Sequence, residues 1–228
     1  MKILSSQRED VVRIQPLKRD IYPVFLRAFR PRRLRTFYRL FQIDSQTKVL
    51  DIGGGAWFWD LALSEGLPLP QVTVLNIVSA GNEARGYLDW IVGDARSINL
   101  RDHSFDVVFS NSLVEHLGDW DSQRRFAEEV RRLAPRYFVQ TPDRSCPIEP
   151  HFVTPFVHWL PKSIRPHTIR NLTVWGLTSR PSRSECIRLC QEISLLSKRE
   201  MGILFPDGRI LSERFMGLPK SITAVKSC

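Results

Sequence analysis

The chain has 228 residues, of which 43% are hydrophobic, and a formal net charge of +9. That length suits one domain with insertions and a sizeable buried core. No apolar run approaches the ~18 residues that span a bilayer. Met1 to Asp10 lacks the apolar stretch of a secretion signal, so a cytoplasmic protein is expected.

The charge is uneven. Residues 1–48 carry 12 Lys/Arg against 4 Asp/Glu, and the remaining 180 carry 21 against 20. Residues 1–44 therefore read as a basic, aromatic arm or lid, and 45–228 as the main domain. Within the arm, Ile21 to Phe41 interleaves aromatic and aliphatic residues with six arginines. Pro23 and Pro31 are expected to break it into at least two pieces. Leu34, Phe37, Tyr38 and Phe41 recur at helical spacing, so the second piece is an amphipathic helix. Such a helix packs across a ligand mouth, meets anionic lipid or a lipid-linked phosphate, or contacts nucleic acid.

Val49-Leu50-Asp51-Ile52 is a short apolar strand ending beside Gly53-Gly54-Gly55, and a helix is predicted from Phe58 to Ser64. Glycine is needed where the backbone takes positive φ or lies close to a ligand. The amides at the start of the helix are expected to be free. Asp51 favours a ligand with a cationic or hydroxyl group over a bare pyrophosphate. The third glycine of a dinucleotide fingerprint is absent, since Phe58 stands there. The turn resembles the first motif of the class I S-adenosylmethionine-dependent methyltransferases, acid-x-Gly-x-Gly-x-Gly. Asp51, Gly53 and Gly55 match it, and Trp57 replaces the last glycine.

Later segments continue the resemblance. Val72 to Ile77 is a second strand, with Asn76 where the family has an acid for the ribose hydroxyls. An amide can accept from one hydroxyl and donate to the other. Trp90-Ile91-Val92 leads into Gly93-Asp94-Ala95, where the resemblance puts Asp94 at the adenine amino group and Ala95 beside the ring. Ser104 to Leu117 contains a buried strand followed by Ser-x-x-x-x-Glu-His, similar to the small-molecule, ubiquinone-pathway-like branch of type 11. His116 is a candidate general base, or it supports the cofactor loop. The resemblance implies that Asp51, Gly53, Gly54, Gly55, Asn76, Ile77, Asp94, Ala95 and Asn111 hold S-adenosylmethionine, or its product S-adenosylhomocysteine.

Ser122 to Leu133 reads as a helix and Arg136 to Thr141 as the fifth strand. Thr141 to Phe152 then resembles a Thr-Pro-Asn-Arg-x-x-Pro-Ile-Glu-Pro-His run of a bacterial type 11 subgroup. Glu149, His151 and Trp159 are the candidates for substrate contact, and His151 is a second candidate base. A cap insertion is expected at about 144–182, shaping the pocket and excluding water. Ser184 to Leu196 is predicted as a helix, and Gly208–Phe215 and Ser221–Val225 as the last two strands. Cys186 and Cys190 read as small buried hydrophobes. No metal is expected, because structural zinc wants four ligands.

Alternating strands and helices indicate an α/β fold. The resemblance, covering residues ~45–226, implies a Rossmann-like, doubly wound seven-stranded sheet. Its order would be 3-2-1-4-5-7-6, with one antiparallel strand and helices on both faces. The expected activity is methyl transfer to an oxygen, nitrogen or carbon of a small-molecule or lipid-linked acceptor. Two alternatives stay open: an RNA methyltransferase using the basic arm, and a non-catalytic methyltransferase-like binding protein.

Overall fold

The computed structural model describes residues 22–149, 154–161 and 163–227. It divides into two compact units at the Leu40/Phe41 boundary. Tyr22–Phe41 forms one helix, α1, with Pro31 inside it, and all but its last residue belongs to the first unit. The expected break at Pro31 does not occur. A proline forfeits one backbone bond and crowds one carbonyl, but each flank here is long enough to keep its own hydrogen-bond ladder. Pro23 stands in the first turn, where a missing N–H costs nothing.

The second unit is built on parallel strands β1 (Lys48–Ile52), β2 (Gln71–Asn76), β3 (Leu88–Val92), β4 (Val107–Asn111) and β5 (Arg136–Pro142). A two-stranded ribbon follows, β6 (Ile148–Glu149) with β7 (Thr154–Pro155). The sheet is completed by β8 (Arg209–Phe215) and β9 (Leu218–Lys226). The order is β3-β2-β1-β4-β5-β9-β8, which is 3-2-1-4-5-7-6 when only the sheet's own strands are counted. β9 runs antiparallel to both neighbours. This is the Rossmann-like methyltransferase sheet expected from the sequence. Register runs Val49↔Val72, Val72↔Leu88, Val49↔Val107 and Val107↔Arg136, so the carboxyl ends of β3, β2, β1 and β4 lie side by side.

Among the described residues, six helices accompany the sheet: α2 (Ala56–Ser64), α3 (Trp120–Leu133), α4 (Arg165–Leu172), α5 (Val174–Ser179), α6 (Arg183–Glu192) and α7 (Lys198–Leu204). Strand residues alternate between two apolar layers, as the period of two requires. Leu50, Ile52 and Val108 join Phe126 and Val130 of α3 and Met201 of α7. On the alternate positions, Phe109 stacks between Phe58 of α2 and Phe138 of β5, at centroid distances of 4.4 and 5.5 Å. Stacked aromatic pairs add to the area they bury.

Three boundaries differ from the sequence reading. The helix predicted to run to Leu196 ends at Glu192, because Leu196 leaves to bridge Asp143. Helix α7 then starts at a capping box, in which Ser197 and Glu200 satisfy each other's backbone amides; Ser-x-x-Glu was its readable signal. The last hairpin turns on Met216 and Gly217, at φ 49° and 81°. Two positive φ values suit the tight turn of a twisted hairpin, so β9 begins at Leu218, earlier than expected. Among the described residues, no helix is long and apolar enough to cross a membrane.

Phe109→Ala should remove the middle of the aromatic stack and lower stability by about 3–5 kcal/mol. Urea denaturation measures it. A loss under about 1 kcal/mol would mean that the layer closes around the gap.

Candidate cofactor and active site

The turn after β1 is shaped by contacts that exclude side chains. Gly53 has φ +77°, and its N–H donates to the Leu75 carbonyl at 2.8 Å, fastening the turn to the end of β2. A Cβ on Gly54 would lie 2.0 Å from Asp51 Oδ2, and one on Gly55 would lie 2.0 Å from Glu83 Oε2. The buried Asp51 carboxylate therefore requires glycine at 54, whereas at Gly55 the end of the flexible Glu83 side chain would have to move aside.

Asp51 is fully buried. Its Oδ2 accepts from the Trp59 indole N–H at 2.9 Å, whereas its Oδ1 has no hydrogen-bond partner. Burial pushes the carboxyl up to about 7. The indole bond opposes that rise, and the nearby charge of Glu83 adds to it. Glu83 closes the short helical turn Gly81–Glu83, and its Oε2 accepts from the Ala56 N–H at 3.0 Å, at the start of α2. Among the described residues, no lysine or arginine pairs with either carboxylate. The amides of this helix start are thus not all free as expected, because Glu83 takes the first. Sequence reasoning missed Glu83; an acid in the loop after β2 was the only signal.

Asn76, the last residue of β2, is engaged at both ends of its amide. Nδ2 donates to the Gly54 carbonyl at 3.0 Å, and Oδ1 accepts from Val78 N–H at 3.4 Å. Ile77 beside it is exposed. Trp57 lies on the first turn of α2, its ring edge-on to Phe58 at 5.5 Å. Asp94 and Ala95 follow β3. The Asp94 carboxylate takes a fork of bonds from Arg96, Nε at 2.9 Å and Nη2 at 2.6 Å, which holds it below the usual carboxylate range. Ala95 is buried. Asn111 ends β4. The structure thus gathers the predicted cofactor residues onto the carboxyl ends of four adjacent strands, where open α/β sheets take ligands.

His116 sits just beyond, in the turn Val114–His116. Its Nε2 is 4.0 Å from Oε1 of the fully buried Glu115. Thr141 Oγ1 donates to Glu115 Oε2 at 2.8 Å, and the Ser194 N–H donates to the Glu115 carbonyl at 2.7 Å. Trp159 ends the short helical turn Val157–Trp159, and its indole N–H donates to the Arg144 carbonyl at 2.9 Å. His158 Nε2 meets the same oxygen at 3.0 Å. His151 and the side chain of Glu149 lie outside the described residues.

Residues 50–136, from β1 to the first residue of β5, match the sequence model of the type 11 family, described as a methyltransferase domain. No curated protein matches the chain. Among solved structures, 1,6-didemethyltoxoflavin-N1-methyltransferase of Burkholderia thailandensis is similar at 15% identity and TM-score 0.58, covering 100% of this chain and 90% of its own. An S-adenosylmethionine-dependent methyltransferase of Archaeoglobus fulgidus gives 16% and 0.54, covering 91% and 100%. Phosphoethanolamine N-methyltransferase 2 of Haemonchus contortus gives 16% and 0.52 over 80% of this chain, which spans only 38% of it. At these identities the likeness is one of fold. Residues 50–136 are thus similar to a methyltransferase domain, and the seven-stranded sheet has the Rossmann-like methyltransferase fold.

The native Asp51 carboxyl keeps its proton to about pH 7, while the unfolded chain releases it near pH 4. The native state binds more protons between those values, so stability falls as pH rises through that window. Asp51→Asn keeps the shape without the charge. Relative to wild type, it should gain on the order of 4 kcal/mol between pH 4 and pH 8. Urea denaturation at both pH values measures this, and an equal difference at each would place the charge in solvent.

Proposed function

We propose that the protein transfers a methyl group from S-adenosylmethionine to an oxygen, nitrogen or carbon of a small-molecule or lipid-linked acceptor. The observation that carries this reading is the pair of carboxylates at the glycine turn. Asp51 has an unpartnered oxygen in a fully buried site, and Glu83 stands beside it without a protein cation. A ligand with its own positive charge relieves both. S-adenosylmethionine carries an ammonium and a sulfonium, and bound it supplies an electrophilic methyl group. The Burkholderia and Haemonchus structures contain S-adenosylhomocysteine.

In this reading Asp51, Gly53, Gly54 and Gly55 hold the amino-acid end, with Glu83 added to them. Asn76 and Ile77 flank the ribose, and its amide also braces the turn through Gly54. Asp94 and Ala95 border the adenine, and Asn111 closes the site at β4. His116 takes the proton of a weakly acidic acceptor, with Glu115 Oε1 4.0 Å from its ring. His151 is the second candidate base, with Glu149 and Trp159 as acceptor contacts from the cap. Alignment of acceptor and methyl, with water kept out, supplies most of the acceleration in a displacement of this kind. A cytoplasmic setting goes with this reading.

Calorimetric titration with S-adenosylhomocysteine should give micromolar affinity. Asp51→Ala should abolish it, and Asp94→Ala should weaken it by about tenfold, the loss of one charged hydrogen bond. Absence of binding to the folded, ligand-free protein would overturn the cofactor assignment and favour a non-catalytic binding role. Steeply salt-dependent RNA binding, lost on deletion of residues 1–44, would instead favour an RNA acceptor.

A further inference from the structure

A groove of about 610 Å³ opens between α4 and α6. His167 and Arg170 line it from α4, and Arg183, Ile187, Cys190 and Gln191 from α6. The spacings are i, i+3 on one helix and i, i+4, i+7 on the other, so each set occupies one helix face. Among the described residues, no carboxylate lines the groove. Arg170 and Arg183 make no hydrogen bond or ion pair among the described residues. Nearby arginines behave differently: Arg188 pairs with Glu192 at 3.7 Å, and Arg165 donates to the Leu160 carbonyl at 2.7 Å.

The groove does not end at α6. A second cavity of about 240 Å³ shares Cys190 and Gln191 and continues to Gly118 and Ser194. Gly118 lies two residues beyond His116, and Ser194 is bonded to the Glu115 carbonyl at 2.7 Å. The first volume lies within the range of small-molecule sites. Two uncompensated guanidinium groups facing one space suit a phosphate, whose oxygens match the guanidinium fork.

We propose that the α4–α6 groove is the anionic subsite for the methyl acceptor, binding a phosphate monoester through Arg170 and Arg183. The rest of the acceptor extends past Cys190 and Gln191 toward His116. Only the word acceptor rests on the methyltransferase reading; the anion site stands on the groove itself. The groove defines the class as a phosphorylated organic molecule, soluble or carried as a lipid headgroup.

Phenyl phosphate is the soluble probe, and phosphatidylcholine vesicles containing phosphatidic acid are the lipid probe. Each is titrated into the full chain, with and without saturating S-adenosylhomocysteine. Wild-type protein should bind one of them, and Arg170→Ala and Arg183→Ala should each weaken that binding by about tenfold, the loss of one charged hydrogen bond. Arg170→Lys, which keeps the charge, should recover part of it. Binding of phenyl phosphate identifies a soluble acceptor; arginine-dependent binding of the vesicles alone identifies a lipid headgroup. If neither probe binds, or if the folded double alanine variant binds as wild type does, the subsite is overturned. S-adenosylhomocysteine affinity, read separately, should be the same in all variants. Its absence, with phosphate binding intact, would overturn the methyltransferase reading and leave the anion groove standing.

Discussion

The Asp51 carboxylate occupies the space that a Cβ on Gly54 would fill, and the Glu83 carboxylate does the same at Gly55. Two acids are thus pressed against one turn, one of them fully buried with an unpartnered oxygen. Buried charges are expensive unless paired, and burial accordingly keeps the Asp51 carboxyl protonated up to about pH 7. Much of the neighbouring structure serves to hold that arrangement. Trp59 donates to Asp51 from α2, Ala56 donates to Glu83, and Asn76 and Leu75 fasten the turn to the end of β2. The aromatic stack of Phe58, Phe109 and Phe138 ties α2 to β4 and β5. The turn is thereby anchored to rigid elements, which is what a precise site requires.

A second set of bonds joins the turn Val114–His116 to the stretch after α6. Glu115 is buried between the Thr141 hydroxyl and the Ser194 amide. The Gln123 amide of α3 spans the Val114 and Ser194 carbonyls, at 3.1 and 2.9 Å. Arg144 reaches Glu200 of α7 at 2.9 Å. These bonds connect the turn bearing His116 with the stretch after α6.

The strands were readable because each carries a compact apolar signal bounded by turn residues, and their order was what the family resemblance implied. The runs at Val49, Val72, Val107 and Tyr137 all form strands of the sheet. The Gly53–Gly55 turn, Asn76 and Asp94 were likewise marked by position relative to those strands. Segments with weaker local signals were placed less well. Pro31 looked like a break yet lies inside a continuous helix, because one missing bond does not end a ladder intact on both sides. The chain after Glu192 looked helical by its leucines, but pairing with Asp143 drew Leu196 out of the helix.

The sequence by itself determined the strands, the glycine turn and the acid at its mouth, since local period and backbone freedom are written in adjacent residues. Only the tertiary structure decided that Glu83 shares the turn with Asp51, that Arg96 already grips Asp94, and that Arg170 and Arg183 face one groove from two helices. Those relations join residues far apart in the chain or fix which of several partners a charge finds. They depend on distances and on exclusion from water, which no spacing in the sequence records.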